Sequence, residues 1–171
     1  MRRKEVKYKM KIRKATIDDL DRITEVEAKC FPPEEAATKK SFEDRLKVYP
    51  EFFWVMENEK GEIISFVNGM VSDDEKIEDE MFENANLHNK NGKWQMIFGV
   101  NTLPEYRRQG FAEKILRQVI EDAEKQGRLG VVLTCKDIMV NYYAKLGFVK
   151  EGLSKSTHGG AVWYDMRIVF N

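Results

Sequence analysis

Residues 96–112, MIFGVNTLPEYRRQGFA, place three local signals in an order that few folds accommodate. Ile97, Phe98, Val100 and Thr102 read as a strand, and Pro104 stops it. A short basic turn, Arg107-Arg108-Gln109-Gly110, follows. Then Phe111, Ala112, Ile115, Leu116, Val119, Ile120 and Ala123 recur at the spacing of a helix packed on a sheet. A helix N-terminus holds unsatisfied backbone N–H groups and partial positive charge, which suits phosphate or pyrophosphate. Gly110 permits close approach of the backbone, and the two arginines add charge and fork-shaped donors. The turn reads as an anion cradle. It is neither a P-loop, since no Gly-Lys-Ser/Thr follows, nor a three-glycine dinucleotide fingerprint.

The rest of the chain alternates strands and helices without repeats or low-complexity linkers. Val6, Tyr8, Met10 and Ile12 alternate with Lys7, Lys9, Lys11 and Arg13, as in a first strand with one wet face. A helix is expected from Thr16 through Leu20, Ile23, Val26 and Cys30, broken by Pro32-Pro33, and a second from about Glu34 to Val48. Phe52–Glu57 and Glu62–Val71 read as a hairpin around Asn58-Glu59-Lys60-Gly61. An acidic, then polar, segment at 72–93 carries a short helix near 77–84. Val131–Lys136 is a buried-type strand, 137–148 a short helix ended at Gly147, and Ala161–Phe170 the last strand. This order suits a single α/β domain over 1–171, with a mixed sheet and helices on both faces.

Composition agrees. The chain has 171 residues, 42% hydrophobic and 34% charged, with formal net charge zero, so no global field draws it to nucleic acid. Eight Lys or Arg among the first fourteen residues are read as the wet strand face rather than a nucleic-acid arm. No apolar run reaches the eighteen or so residues of a membrane span, and no hydrophobic signal core follows the basic start. Cys30 and Cys135 lie far apart, and with His88 and His158 they make no metal-ligand spacing, so reduced thiols, no metal and a cytoplasmic location are expected.

Arg107-Arg108-Gln109-Gly110-Phe111-Ala112 resembles the coenzyme A pyrophosphate loop, R/Q-x-x-G-x-G/A, of the GNAT superfamily of N-acetyltransferases. Tyr142-Tyr143-Ala144-Lys145-Leu146-Gly147-Phe148 is similar to a second motif of that superfamily. More narrowly, Cys30-Phe31-Pro32-Pro33-Glu34-Glu35-Ala36, Leu133-Thr134-Cys135-Lys136 and Ser156-Thr157-His158-Gly159-Gly160 resemble its arylalkylamine branch. The resemblance spans about 10–168. It implies a mainly antiparallel mixed sheet of about seven strands and transfer of acetyl from acetyl-CoA, without a metal, to the amine of a small acceptor. That acceptor would be an arylalkylamine, diamine or polyamine. It also implies cofactor contacts from Val100, Asn101, Thr102, Arg107, Arg108, Gln109, Gly110, Phe111, Ala112, Glu113 and Lys145.

Acyl transfer to an amine sets further demands. A primary amine with a pKa near ~10 is protonated at neutral pH and must lose a proton before it attacks, while the departing thiolate benefits from a donor. Tyr143, matching the superfamily's tyrosine, is the expected general acid, and Tyr142 the packing residue. In animal members of the branch two central-strand histidines are linked to proton removal. Met96 and Phe98 occupy those positions here and cannot titrate. Glu35 is then the expected catalytic carboxylate and His158 a substrate contact. The acidic run from Asp73 to Glu83 offers a field for a cation but reads first as a solvated loop. Trp54, Phe66, Trp94 and Trp163 could wall an aromatic acceptor, with core packing expected for most. Two other readings stay open: a protein N-terminal or lysine acetyltransferase, and a non-catalytic acyl-CoA-binding module. Neither choice between monomer and homodimer nor the acceptor follows from the sequence.

Overall fold

The structure, a computed structural model, describes residues 9–171. Val6, Lys7 and Tyr8 of the expected first strand lie outside the described residues. Their continuation forms β1 (Lys11–Lys14), which is followed by α1 (Leu20–Cys30). The entry to α1 is tied down locally: the Thr16 amide donates to Asp19 Oδ2 at 2.8 Å, and Arg13 holds both Asp19 oxygens at 2.8 Å. The second helix, α2, starts later than the sequence reading, at Lys39–Val48. Thr38 caps it through the Ser41 amide, and residues 34–38 are instead held as a loop by contacts with α1.

The hairpin is as expected. β2 (Phe53–Glu57) and β3 (Ile63–Asn68) pair antiparallel, with Asn58 Oδ1 accepting from the Lys60 and Glu62 amides at 3.0 Å. After β4 (Val71–Ser72) and α3 (Glu80–Glu83) come β5 (Trp94–Ile97) and β6 (Gly99–Thr102). A long helix, α4 (Phe111–Lys125), then leads to β7 (Gly130–Cys135), α5 (Val140–Ala144), β8 (Val149–Leu153) and β9 (Tyr164–Val169). The expected helix over 137–148 is realised as a 3-10 turn at Asp137–Met139 plus α5, so only its middle is α-helical.

Among the described residues nine strands form two sheets, ordered β1-β2-β3-β6 and β4-β5-β7-β9-β8. The excess over the expected seven arises because two expected strands are each cut in two where the chain passes between sheets: β3 from β4, and β5 from β6. At the crossing Gly69 lets the Met96 carbonyl pass at 1.9 Å from where a Cβ would stand, a contact no other residue tolerates. Every strand pair is antiparallel except β5 with β7. All six residues of β3 are buried, as expected for a strand covered on both faces. α4 inserts Phe111, Ile115, Leu116, Val119 and Ala123 into the core against β2, β3, β6 and β7, while α1 lies over β3 and β6.

Candidate active site

The single parallel pairing creates the cleft. β5 and β7 run side by side from Trp94↔Gly130 to Ile97↔Leu133. Beyond Phe98 the chain turns onto β3 as β6, while Thr134 and Cys135 stay with β9, so the two strands splay. Val100 and Thr102 line one side of the resulting wedge and Leu133, Thr134 and Cys135 the other, enclosing about 530 Å³. Arg107 and Ala112 close it at the α4 end, and Tyr142 and Tyr143 wall it from α5.

The basic turn sits where the sequence places it. Gly110 adopts φ +80° and Arg108 φ 62°, a left-handed pair that non-glycine residues rarely adopt, and no side chain caps α4. The first amides of a fifteen-residue helix therefore face outward beside the cleft. Arg107 Nε donates to the Thr102 carbonyl at 2.9 Å, which fixes the turn to the end of β6. Glu113 is engaged by Arg117 at 2.7 Å, and Lys145 is exposed beyond α5; neither lines the cleft. Asn101 is fully buried, and its side chain lies beside Gly99, with Nδ2 3.3 Å from a would-be Cβ there, rather than among the cleft-lining groups. Tyr143 is 7% exposed, set edge-on to Tyr142 at 5.1 Å and to Phe148 at 6.0 Å; burial pushes its phenol well above the ordinary range. Burial likewise raises the Cys135 thiol to about 11.

A second cavity of about 400 Å³ adjoins the first and shares Glu35, Phe98 and Gly99 with it. Its walls come from α1, the 31–38 loop, α2, α3 and the turn at 157–159. Five carboxylates line it, from Glu27, Glu34, Glu35, Asp79 and Glu83, against the one guanidinium of Arg45. Part of the acidic run reaches this cavity: Asp79 and Glu83 line it, and Asp79 accepts from Ser156 Oγ and the Thr157 amide. His158 Nε2 donates to the Glu35 carbonyl at 2.7 Å and its ring packs on Phe82 at 4.9 Å. Gly159 at φ +62° is required here, because a Cβ would meet Glu35 Cγ at 2.6 Å. Lys136 Nζ lies 2.6 Å from Glu35 Oε1, so the expected catalytic carboxylate is already ion-paired.

Of the four expected wall aromatics only Trp163 lines the cleft, its Nε1 donating to the His158 carbonyl at 2.9 Å. Trp54 and Phe66 are core, and Trp94 stacks under Arg167 at 4.5 Å. Phe82 and Phe98, which the sequence reading left out of the aromatic set, are the aromatic lining of the acidic cavity. Glu27 was also missed. It is 5% exposed, Oε2 accepts from the Ala37 amide at 2.9 Å, and Oε1 has no partner. Its signal was available, for Glu27 falls on the apolar stripe of α1 with Leu20, Ile23 and Cys30. Among the described residues no cluster of metal-ligating side chains occurs, both cysteines are free, and no helix is long and apolar enough to cross a membrane.

Fold and cleft together define an α/β domain whose split sheet opens beside an uncapped helix. The chain belongs to the acetyltransferase (GNAT) family, whose sequence profile matches residues 20–148, and is an acyltransferase by that membership. No curated protein matches it in sequence. Among solved structures it is similar to the loading GNATL domain of CurA from Lyngbya majuscula, at 17% identity, covering 94% of this chain and 98% of that one, with TM-score 0.80. PaiA N-acetyltransferase from Thermoplasma acidophilum, in complex with coenzyme A, gives 16% identity, 95% and 99% coverage and TM-score 0.70. The ribosomal-protein-S18-alanine N-acetyltransferase from Escherichia coli gives 16%, 94% and 94%, and 0.71. These likenesses share the fold.

Proposed function

We propose that the chain transfers acetyl from acetyl-CoA to the amine of a small cationic acceptor. The observation that carries the acceptor class is the acidic cavity: five carboxylates against one guanidinium, opening onto the wedge at Phe98 and Gly99. Such walls favour an ammonium group and concentrate it beside the thioester. The segments that resemble the arylalkylamine branch, 30–36 and 156–160, meet at this cavity through His158 and Gly159 against Glu35, which supports that narrower reading.

In this reading the pyrophosphate rests on the amides of residues 108–112, with Arg107 and Arg108 adding charge. The pantetheine arm enters the wedge along Val100 and Thr102, whose strand edge is left unpaired by the splay. The buried apolar lining of Ile97 and Leu133 keeps water from the inner end of the wedge, where the thioester would lie. Tyr143, held protonated by burial, donates to the sulfur as the C–S bond breaks. Glu35, paired with Lys136, marks the threshold between the two cavities; His158 orders the loop that carries it. Glu113 and Lys145 stand too far from the cleft lining to act there except on the distal end of the nucleotide.

The test is thiol release from acetyl-CoA across arylalkylamines, diamines, polyamines and peptides with free N-termini. The proposal expects small cations to give the highest kcat/KM, with KM rising with ionic strength as the acidic walls are screened. Preference for peptides over every small amine would overturn it and favour N-terminal protein acetylation, the activity of the ribosomal-protein-S18-alanine enzyme.

A further inference from the structure

Beside Gly99, where the two cavities meet, several buried polar atoms lack partners. Glu27 Oε1, both polar atoms of the Asn101 side chain and Arg45 Nε make no hydrogen bond, though Glu27, Asn101 and Arg45 are at most 5% exposed. Two of them meet beside Gly99: Asn101 Nδ2 and Glu27 Oε1 lie 3.3 and 3.6 Å from the point a Gly99 Cβ would take, with Asn68 Nδ2 at 3.4 Å. Leaving buried polar groups unpaired costs on the order of 1–3 kcal/mol each, so an orphan cluster at a cavity junction marks a place built for a polar guest. The neighbouring oxygen, Glu27 Oε2, is fixed by the Ala37 amide, which aims the carboxylate.

We propose that Glu27 is the group that takes the proton from the acceptor ammonium, directly or through one water held by Asn101. The proposal rests on the amine-acetyltransferase reading above. The step balances: the ammonium N–H bond breaks, its proton passes to Glu27 Oε1, and the freed lone pair attacks the thioester carbon. The C–S bond then breaks, and the sulfur takes a proton from Tyr143. The phenolate recovers that proton from the second N–H of the attacking nitrogen, leaving a neutral amide, and Glu27 returns its proton to solvent. Glu35 Oε1 is already held by Lys136 Nζ at 2.6 Å, whereas Glu27 Oε1 has no hydrogen-bond partner and its cationic neighbour is the Arg45 guanidinium.

Glu27 is suited to this electrostatically. Burial raises its pKa above the ordinary carboxylate value, against the lowering effects of the Ala37 amide and the Arg45 guanidinium. Its facing groups are Arg45 from α2, His158 from the 158–160 turn, Glu34 and Glu35 from the loop, Asp79 and Glu83 from the acidic segment, and Cys30 at its own helix end.

The experiment compares wild type, Glu27→Gln and Glu27→Asp, using an alkylamine and a fluorinated alkylamine that is neutral at pH 7. With the alkylamine, Glu27→Gln should lose about 10²–10⁴-fold in kcat/KM. With the fluorinated amine, which arrives deprotonated, the loss should be under about tenfold, since no base is needed. Equal losses with both amines mean a structural role and overturn the proposal, as does a Gln variant equal to wild type at every pH. Should Glu27→Gln fail to bind coenzyme A by calorimetry, Glu27→Asp decides: a reduced rate that still rises with pH supports the proposal, and an unreduced rate refutes it. A wild type inactive toward every amine refutes the acceptor reading itself, a result distinct from either.

Discussion

Replacing Tyr143 with Phe removes one oxygen from a ring that otherwise stays in place. The ring is 93% covered and held by Tyr142 and Phe148 through edge contacts that Phe preserves. Stability should therefore move by no more than about 1 kcal/mol, or roughly 2–4 °C in Tm for a chain of this size. The chemistry should suffer far more. Loss of a positioned proton donor costs about 10²–10⁴-fold, which at 1.36 kcal/mol per decade is roughly 2.7–5.5 kcal/mol of barrier. The two scales are well enough separated to tell catalysis from packing.

The pH behaviour adds a second signature. Burial holds the Tyr143 phenol above its ordinary value of about 10, so it stays protonated through the assay range and imposes no descending limb below that pH. The assay is thiol release from acetyl-CoA at saturating amine, with viscosity varied to show that chemistry limits the rate, alongside calorimetric acetyl-CoA affinity. The expected result is a turnover number reduced at least a hundredfold with affinity within about threefold. Unchanged turnover under viscosity-independent conditions would return Tyr143 to a packing role and leave the thiolate to solvent.

Gly110→Val should weaken acetyl-CoA binding at least about tenfold, because a β-branched residue resists φ +80° by roughly 1–2 kcal/mol and crowds the pyrophosphate; unchanged calorimetric affinity would contradict the cradle. Arg13→Met should destabilise the fold chiefly above pH ~4, the unfolded pKa of an aspartate. Arg13 holds Asp19 below that value, so their pairing contributes above it and is lost as pH falls through the depressed folded pKa. A Tm difference from wild type that stays constant from pH 7 to pH 2 would show the pair contributes nothing.

How much of this was legible in the residues depends on whether the determinant is local. The hairpin was, because Asn58 and Gly61 specify their turn within five residues. So was α4, whose apolar spacing names seven residues, of which five are buried and Ala112 and Ile120 are half-buried. The break at Phe98 was not. Ile97, Phe98, Val100 and Thr102 read as one strand by propensity, and only the competition between β3 and β7 for pairing bends the chain there. The start of α2 was misplaced for a similar reason: Glu34 and Glu35 favour a helix start, but the Ala37 amide is claimed by Glu27, and Thr38 supplies the cap.

The site follows the same division. The phosphate turn is contiguous in sequence and could be read directly, whereas the acidic cavity is assembled from six separate stretches and could not. Glu27 is the instructive residue. The apolar face of the first helix reads through Leu20, Ile23, Val26 and Cys30, and Glu27 lies on that same face. A carboxylate on an apolar stripe must lose its water on folding, and it does so only where a partner or a task compensates. Here one oxygen has a partner in the Ala37 amide and the other has none, so the compensation for the second must come from what enters the cavity. Helical periodicity, used to find the core, is therefore also the means of finding the charge that does not belong to it.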